Sequence, residues 1–170
     1  MRNIIITGFM GTGKSEAGRI VAARLGLKLV DIDTLIEGEQ NMTISEIFTQ
    51  FGESAFREME ADAVRRLSEM NNLVVSTGGG VVLRDENMAN LRKNGTIICL
   101  TASPEIILKR VGSDNSRPLL QTDDPLAAIR QLLKDRKKYY ETADMVIDTE
   151  GRSPLEVAEE IIEGVKTWKR

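Results

Sequence analysis

The chain has 170 residues, enough for one domain around one buried core, and its 41% hydrophobic and 29% charged residues are the make-up of a folded globular protein. Its 23 Lys and Arg against 26 Asp and Glu leave a net charge of -3, which argues against a surface that tracks nucleic acid. One cysteine and no histidine exclude a disulfide framework, Cys/His zinc sites and any imidazole base, so acid–base chemistry falls to carboxylates, Lys or Tyr.

In chain order, the first element is the apolar run Asn3 to Thr7, read as a short strand buried on both faces, as in a parallel sheet. It runs into Gly8-Phe-Met-Gly-Thr-Gly13-Lys14-Ser15, which satisfies G-x-x-x-x-G-K-[ST], and a helix over Lys14 to Leu25 follows. Strand, glycine-rich turn and helix in this order let backbone N–H groups wrap a phosphate at the positive helix end. Lys14 is expected to reach the β and γ phosphates and Ser15 to ligate Mg²⁺. No guanine-reading Asn-Lys-x-Asp segment is present, which points to ATP.

A second strand is read over Lys28 to Ile32 and carries Asp31-Ile-Asp33 at its end. Alternation along an extended segment would aim Asp31 and Asp33 the same way, out of the carboxyl edge of the sheet. There one carboxylate could hold a water on Mg²⁺ and the other could accept a hydrogen bond from an attacking hydroxyl; a helix-capping role is the competing reading. Thr43 to Met70 has helical periodicity and opens with Thr43 and Glu46 as a capping box. Phe56, Met59, Ala63 and Leu67 take core spacing in it, which puts Arg57 and Glu60 together on a neighbouring face, as ligand-binding groups or as a solvated pair. Leu73 to Ser76 is a third strand, and the Gly78-Gly79-Gly80 run after it implies that something approaches the backbone closely.

A helix over Arg84 to Lys93 and a fourth strand over Thr96 to Leu100 follow, the strand holding Cys99 as a packing residue. Pro104 to Val111 is helical behind Ser103 as capping hydroxyl. Late in it stands Arg110, where the helix dipole favours a cation. The polar stretch Gly112 to Asp124 is either a plain surface loop or a mobile lid. Asp124 to Tyr140 is a helix, Met145 to Ile147 a fifth strand, and Pro154 to about Trp168 a last helix capped by Ser153 and Glu156, with Trp168 on its apolar stripe. Strand–helix alternation of this kind makes a three-layer α/β domain.

The phosphate loop, Asp31-x-Asp33, Phe51-Gly52-Glu53 with Phe56-Arg57 and Glu60, Gly78-Gly79-Gly80, Arg117-Pro118-Leu119-Leu120 and Arg136-x-x-x-Tyr140 stand in the order and spacing of the shikimate kinases. The resemblance covers nearly the whole chain. It implies a P-loop kinase fold with a five-stranded parallel sheet in the order 2-3-1-4-5, and ATP-dependent phosphorylation of the 3-hydroxyl of shikimate in the synthesis of chorismate and aromatic amino acids. It further implies that Asp33, Arg57, Gly79, Gly80 and Arg136 contact shikimate with Glu60 supporting Arg57, and that Gly11, Thr12, Gly13, Lys14, Ser15 and Glu16 form the ATP loop. By the same likeness Arg117 is the lid arginine on the phosphates, Arg110 and Arg152 flank the adenine, and Ser15 and Asp31 serve Mg²⁺. Lys14, Asp33 and Arg117 are then the catalytic groups. The family commonly has Thr or Ser where this chain has Glu16, so a hydroxyl contact to the α phosphate is missing.

The expectation is a single kinase domain over residues 1–170, with a substrate-binding region at about 33–60 and a lid at about 112–124. Residues 1 to 20 lack a signal-peptide core and no apolar run approaches the ~18 residues of a membrane span, which suggests the cytoplasm, without membrane or nucleic-acid partners. A monomer is expected. A gluconate-type sugar-acid kinase and a catalytically silent nucleotide-binding regulator are the competing functions; Asp31-x-Asp33, the triple glycine and Arg136 argue against the first, and the presence of Lys14 and Asp33 against the second.

Overall fold

The computed structural model describes residues 2–112 and 122–167; Arg117, most of the segment read as a lid, and Trp168 lie outside them. Strands β1 (Asn3–Gly8), β2 (Lys28–Asp31), β3 (Leu73–Ser76), β4 (Gly95–Thr101) and β5 (Met145–Asp148) form one parallel sheet in the order β2-β3-β1-β4-β5. Successive side chains of a strand serve opposite faces. Ile4 and Ile6 therefore join the core built with α1 (Lys14–Leu25) and α7 (Pro154–Thr167), while Ile5 joins the larger core on the other face. That second core is filled by α2 (Ile32–Gln40), α3 (Ile44–Ser68), α4 (Asp85–Asn94), α5 (Pro104–Val111) and α6 (Pro125–Tyr140). Cys99 belongs to it, and burial pushes its thiol up to about 12, as a packing residue requires. No helix among the described residues is long and apolar enough to cross a membrane.

Four expectations are corrected. The edge strands β2 and β5 are not buried on both faces as β1, β3 and β4 are, because helices cover less of a sheet edge. The run read as strand to Ile32 stops at Asp31 and turns into α2, so Asp31 and Asp33 do not alternate along one extended segment. Asp31 is the cap of α2, its Oδ1 accepting from the N–H of Asp33 at 3.1 Å and of Thr34 at 3.3 Å. The long helix from Thr43 is broken at Gly52, whose φ of 81 and ψ of 167 only glycine adopts without strain. Ser103 occupies the cap position of α5 but its hydroxyl makes no capping bond.

The other start signals form as read. The Thr43 hydroxyl accepts from Glu46 N–H at 3.2 Å while the Glu46 carboxylate accepts from Thr43 N–H at 2.7 Å, and Ser153 and Glu156 repeat the pair at 3.3 and 2.7 Å.

From β1 the chain goes out to β2 and back to β3 on one side, and from β3 it crosses over β1 to β4 on the other. In open α/β sheets such a reversal beside the carboxyl ends of the strands opens a crevice. Here it lies beyond Gly8, between the end of β1 and the ends of β2 and β3.

Candidate active site

The loop from β1 to α1 borders this crevice. Gly13, at φ 88, is the cap residue of α1, and no side chain caps the helix. The first-turn residues Lys14, Ser15 and Glu16 stand at the positive end of the helix dipole, on the wall of the crevice. The Phe9 carbonyl organises the loop, accepting from Thr12 Oγ1 and from Lys14 Nζ, each at 2.8 Å. Arg110 pins the loop from outside, its Nη1 donating to the Gly11 carbonyl at 3.1 Å and to Thr149 Oγ1 at 2.9 Å, its Nη2 to the Thr149 carbonyl at 3.0 Å.

Oxygen donors gather beside the start of α1. Ser15 Oγ donates to Asp31 Oδ2 at 2.9 Å and stands 3.5 Å from Ser76 Oγ. The other Asp31 oxygen is committed to capping α2, so the cap fixes which oxygen faces Ser15.

At the opposite end, two guanidinium groups close on the glycine turn after β3. A Cβ on Gly80 would stand 2.5 Å from Arg57 Nη1 and 2.7 Å from its Cζ, so the turn has no side chain there because Arg57 occupies the place. Arg136 Nη1 donates to the Gly79 carbonyl at 3.3 Å, and its guanidinium lies over the Phe9 ring at 5.5 Å. Arg57 is held by Glu60, at 3.0 and 3.2 Å to its two oxygens, and by Glu53 at 3.0 Å. Burial alone would lower the Arg57 pKa; Glu60, then Glu53, outweigh it and raise the pKa above its ordinary value. Glu60 is only 1% exposed, and burial pushes its carboxyl up to about 7 against the opposing pull of Arg57, with the nearby Asp33 charge adding to the rise.

These two ends belong to one cleft of about 630 Å³. Of the residues singled out in the sequence, Gly11, Gly13, Lys14, Ser15, Glu16 and Asp31 line its loop end. Asp33, Arg57, Glu60, Gly79, Gly80 and Arg136 line the other. Thr12 is turned inward onto Phe9. Arg110 lies behind the loop, and Arg152 is drawn away to the Asp148 carbonyl at 3.2 Å and to Glu160. Reading the sequence missed α2 and the aromatic wall, in which the Phe48 and Phe56 rings stand 5.0 Å apart. A signal for α2 was available: Asp31 as cap, followed by Ile32, Leu35 and Ile36 at helical spacing.

Three comparisons bear on this geometry. The family model for shikimate kinase matches residues 10–166 of the chain. A shikimate kinase of Thermodesulfovibrio yellowstonii is 51% identical over 162 residues, 95% of this chain and 94% of the relative. The solved shikimate kinase of Acinetobacter baumannii in complex with shikimate superposes with a TM-score of 0.95 at 34% identity, covering 99% of this chain and 96% of that one. A gluconokinase of Sinorhizobium meliloti reaches a TM-score of 0.63 at 16% identity, a likeness of fold alone.

Proposed function

The chain belongs to the shikimate kinase family, and from that premise we propose how its residues carry the γ-phosphoryl group of ATP to the 3-hydroxyl of shikimate. The observation that supports these roles is the pair of guanidinium groups, half-buried Arg57 and buried Arg136, on the glycine turn of a cleft continuous with the phosphate loop. Planar guanidinium forks match a carboxylate in geometry as well as charge, so they suit the acid group of shikimate. Glu60 holds Arg57 at its post. Asp33, on the first turn of α2 beside the glycine turn, receives the ring hydroxyls, orients the reacting one and takes its proton.

The phosphates take the loop end. Backbone N–H groups from Gly11 to Glu16 wrap them, and Lys14 exchanges the Phe9 carbonyl for the transferred group. Arg110 keeps the loop in place and borders the adenine, with Arg152 at the start of α7. Arg117, outside the described residues, is assigned to the phosphates on the resemblance alone. Ser15 Oγ and Asp31 Oδ2, side by side at 2.9 Å with Ser76 near, are hard oxygen donors that fit Mg²⁺, an ion that takes few protein oxygens and keeps water and phosphate oxygens. Bound there with the nucleotide, Mg²⁺ would offset charge on the phosphate oxygens. The protein's contribution is otherwise positioning: an in-line approach of hydroxyl to phosphorus and fixed positive groups around the equatorial oxygens. The same reading gives a monomeric enzyme of the cytoplasm acting on small molecules.

A coupled assay of ADP release tests it. ADP should appear at a high rate only with ATP and shikimate together. Equal rates without shikimate, or with gluconate in its place, would overturn the assignment of the acid end.

A further inference from the structure

Arg136 and Tyr140 lie one turn apart on α6, and both reach back to the same backbone atom. The Tyr140 hydroxyl donates to the Gly79 carbonyl at 2.9 Å, and Arg136 Nη1 donates to that oxygen at 3.3 Å. Two donors fill both lone pairs of the carbonyl. Gly79 itself is lodged between α6 and the phosphate loop: a Cβ there would stand 3.4 Å from Arg136 Nη1, 3.5 Å from the Gly8 carbonyl oxygen and 3.6 Å from Met10 N.

Nothing in the proposed chemistry uses Tyr140. Its ring belongs to the core, a place that phenylalanine would fill as well, so the hydroxyl is the part that calls for a reason. Burial pushes the phenol up to about 12, so it remains a donor throughout the working range of pH.

We propose that Tyr140 is a positioning residue for the acid substrate: its hydroxyl fixes the Gly79 carbonyl, and through it the Gly79–Gly80 turn and the Arg136 guanidinium, at the carboxylate end of the cleft. Without that bond the carbonyl keeps the longer contact to Arg136, and the Arg136 guanidinium alone then fixes the carbonyl while it serves the substrate. The inference rests on the assignment of Arg136 to the substrate carboxylate.

Steady-state kinetics on the full chain test it. Tyr140→Phe keeps the ring and removes one oxygen, and should raise the shikimate KM about 3- to 10-fold, the range that one neutral hydrogen bond commands, with kcat and the ATP KM within about 2-fold of the parent. Tyr140→Met, which drops the oxygen with a different shape, should give the same substrate-selective rise. In the double variant with Arg136→Lys, the two effects on shikimate KM should combine to less than their product, because both act on one contact. An unchanged shikimate KM in Tyr140→Phe, an equal rise in both KM values, or independent effects in the double variant would overturn the proposal while leaving Arg136 in its role. If Arg136→Lys alone left the shikimate KM unchanged, the carboxylate assignment would fall and the proposal with it.

Discussion

On the proposed reading, Lys14 leaves its present partner to reach the transferred phosphate. Its Nζ bonds the Phe9 carbonyl at 2.8 Å, which keeps the charge at the loop and costs one backbone bond when phosphate replaces the carbonyl. Lys14→Ala should therefore lower kcat by about 10²- to 10³-fold, the loss seen when one fixed donor to developing charge is removed, while a thermal melt stays close to the parent. A kcat within a few-fold of the parent would remove Lys14 from the transfer. Glu60 makes a different prediction, through pH. A carboxyl raised from its ordinary 4.5 to about 7 on folding holds its proton more tightly in the native state. The stability it contributes is full below its unfolded value and is lost as the pH rises through about 7. Glu60→Gln cannot titrate yet still offers an oxygen to Arg57. The melting temperature of the parent, taken relative to that of the variant, should fall from about pH 5 to about pH 8, and a difference that stays flat across this range would show that burial does not govern Glu60.

At the level of elements, the glycine turn after β3 is the part that α3 and α6 compete to approach. Gly80 sits at φ -96 and ψ -9, a conformation open to any residue, so its substitution tests space and not backbone strain. In Gly80→Ala the new methyl group would displace the Arg57 guanidinium. The shikimate KM should rise about 10-fold or more with the ATP KM unchanged; an unaltered shikimate KM would mean that Arg57 binds from elsewhere. The elements were unequally legible. The phosphate loop could be read because its chemistry is local: a strand, a glycine turn and a helix start within a dozen residues. The break at Gly52 was hidden because the apolar spacing that marks a helix continues after it, with Phe56, Ala63 and Leu67 in step. The beginning of α2 was lost where the strand was read one residue too far, across the cap Asp31. The meeting of Arg57 and Arg136 is of another kind. It depends on how α3 and α6 pack over the end of β3, which no spacing encodes, and it came from the resemblance and not from the residues themselves. The bond from Tyr140 to Gly79, spanning 61 positions, is legible only in three dimensions.

Across the whole molecule, the sheet order sets the two ends of the cleft against one central strand, and on the proposed reading the ends can be separated by what the ligand of each adds to stability. A ligand at about 100 times its Kd adds roughly 2.7 kcal/mol to a fold that it binds only when native. In a chain of this size that corresponds to a rise of about 5–10 °C in Tm. Shikimate should give such a rise to the parent, and Arg136→Ala should abolish most of it at the same concentration. The comparison has to be made on the rise and not on Tm itself. Arg136 is 6% exposed, lies over Phe9 and shares the Gly79 carbonyl with Tyr140, so its truncation leaves a void and lowers the stability of the unliganded protein as well. The rise with ATP and Mg²⁺ supplies the internal control, because the nucleotide is assigned to the loop end, where Arg110 and Lys14 bond the backbone through contacts that Arg136 does not make. It should survive in Arg136→Ala and shrink in Lys14→Ala. Equal losses of both ligand-induced rises in Arg136→Ala would mean that α6 supports the cleft as a whole and grips no particular substrate.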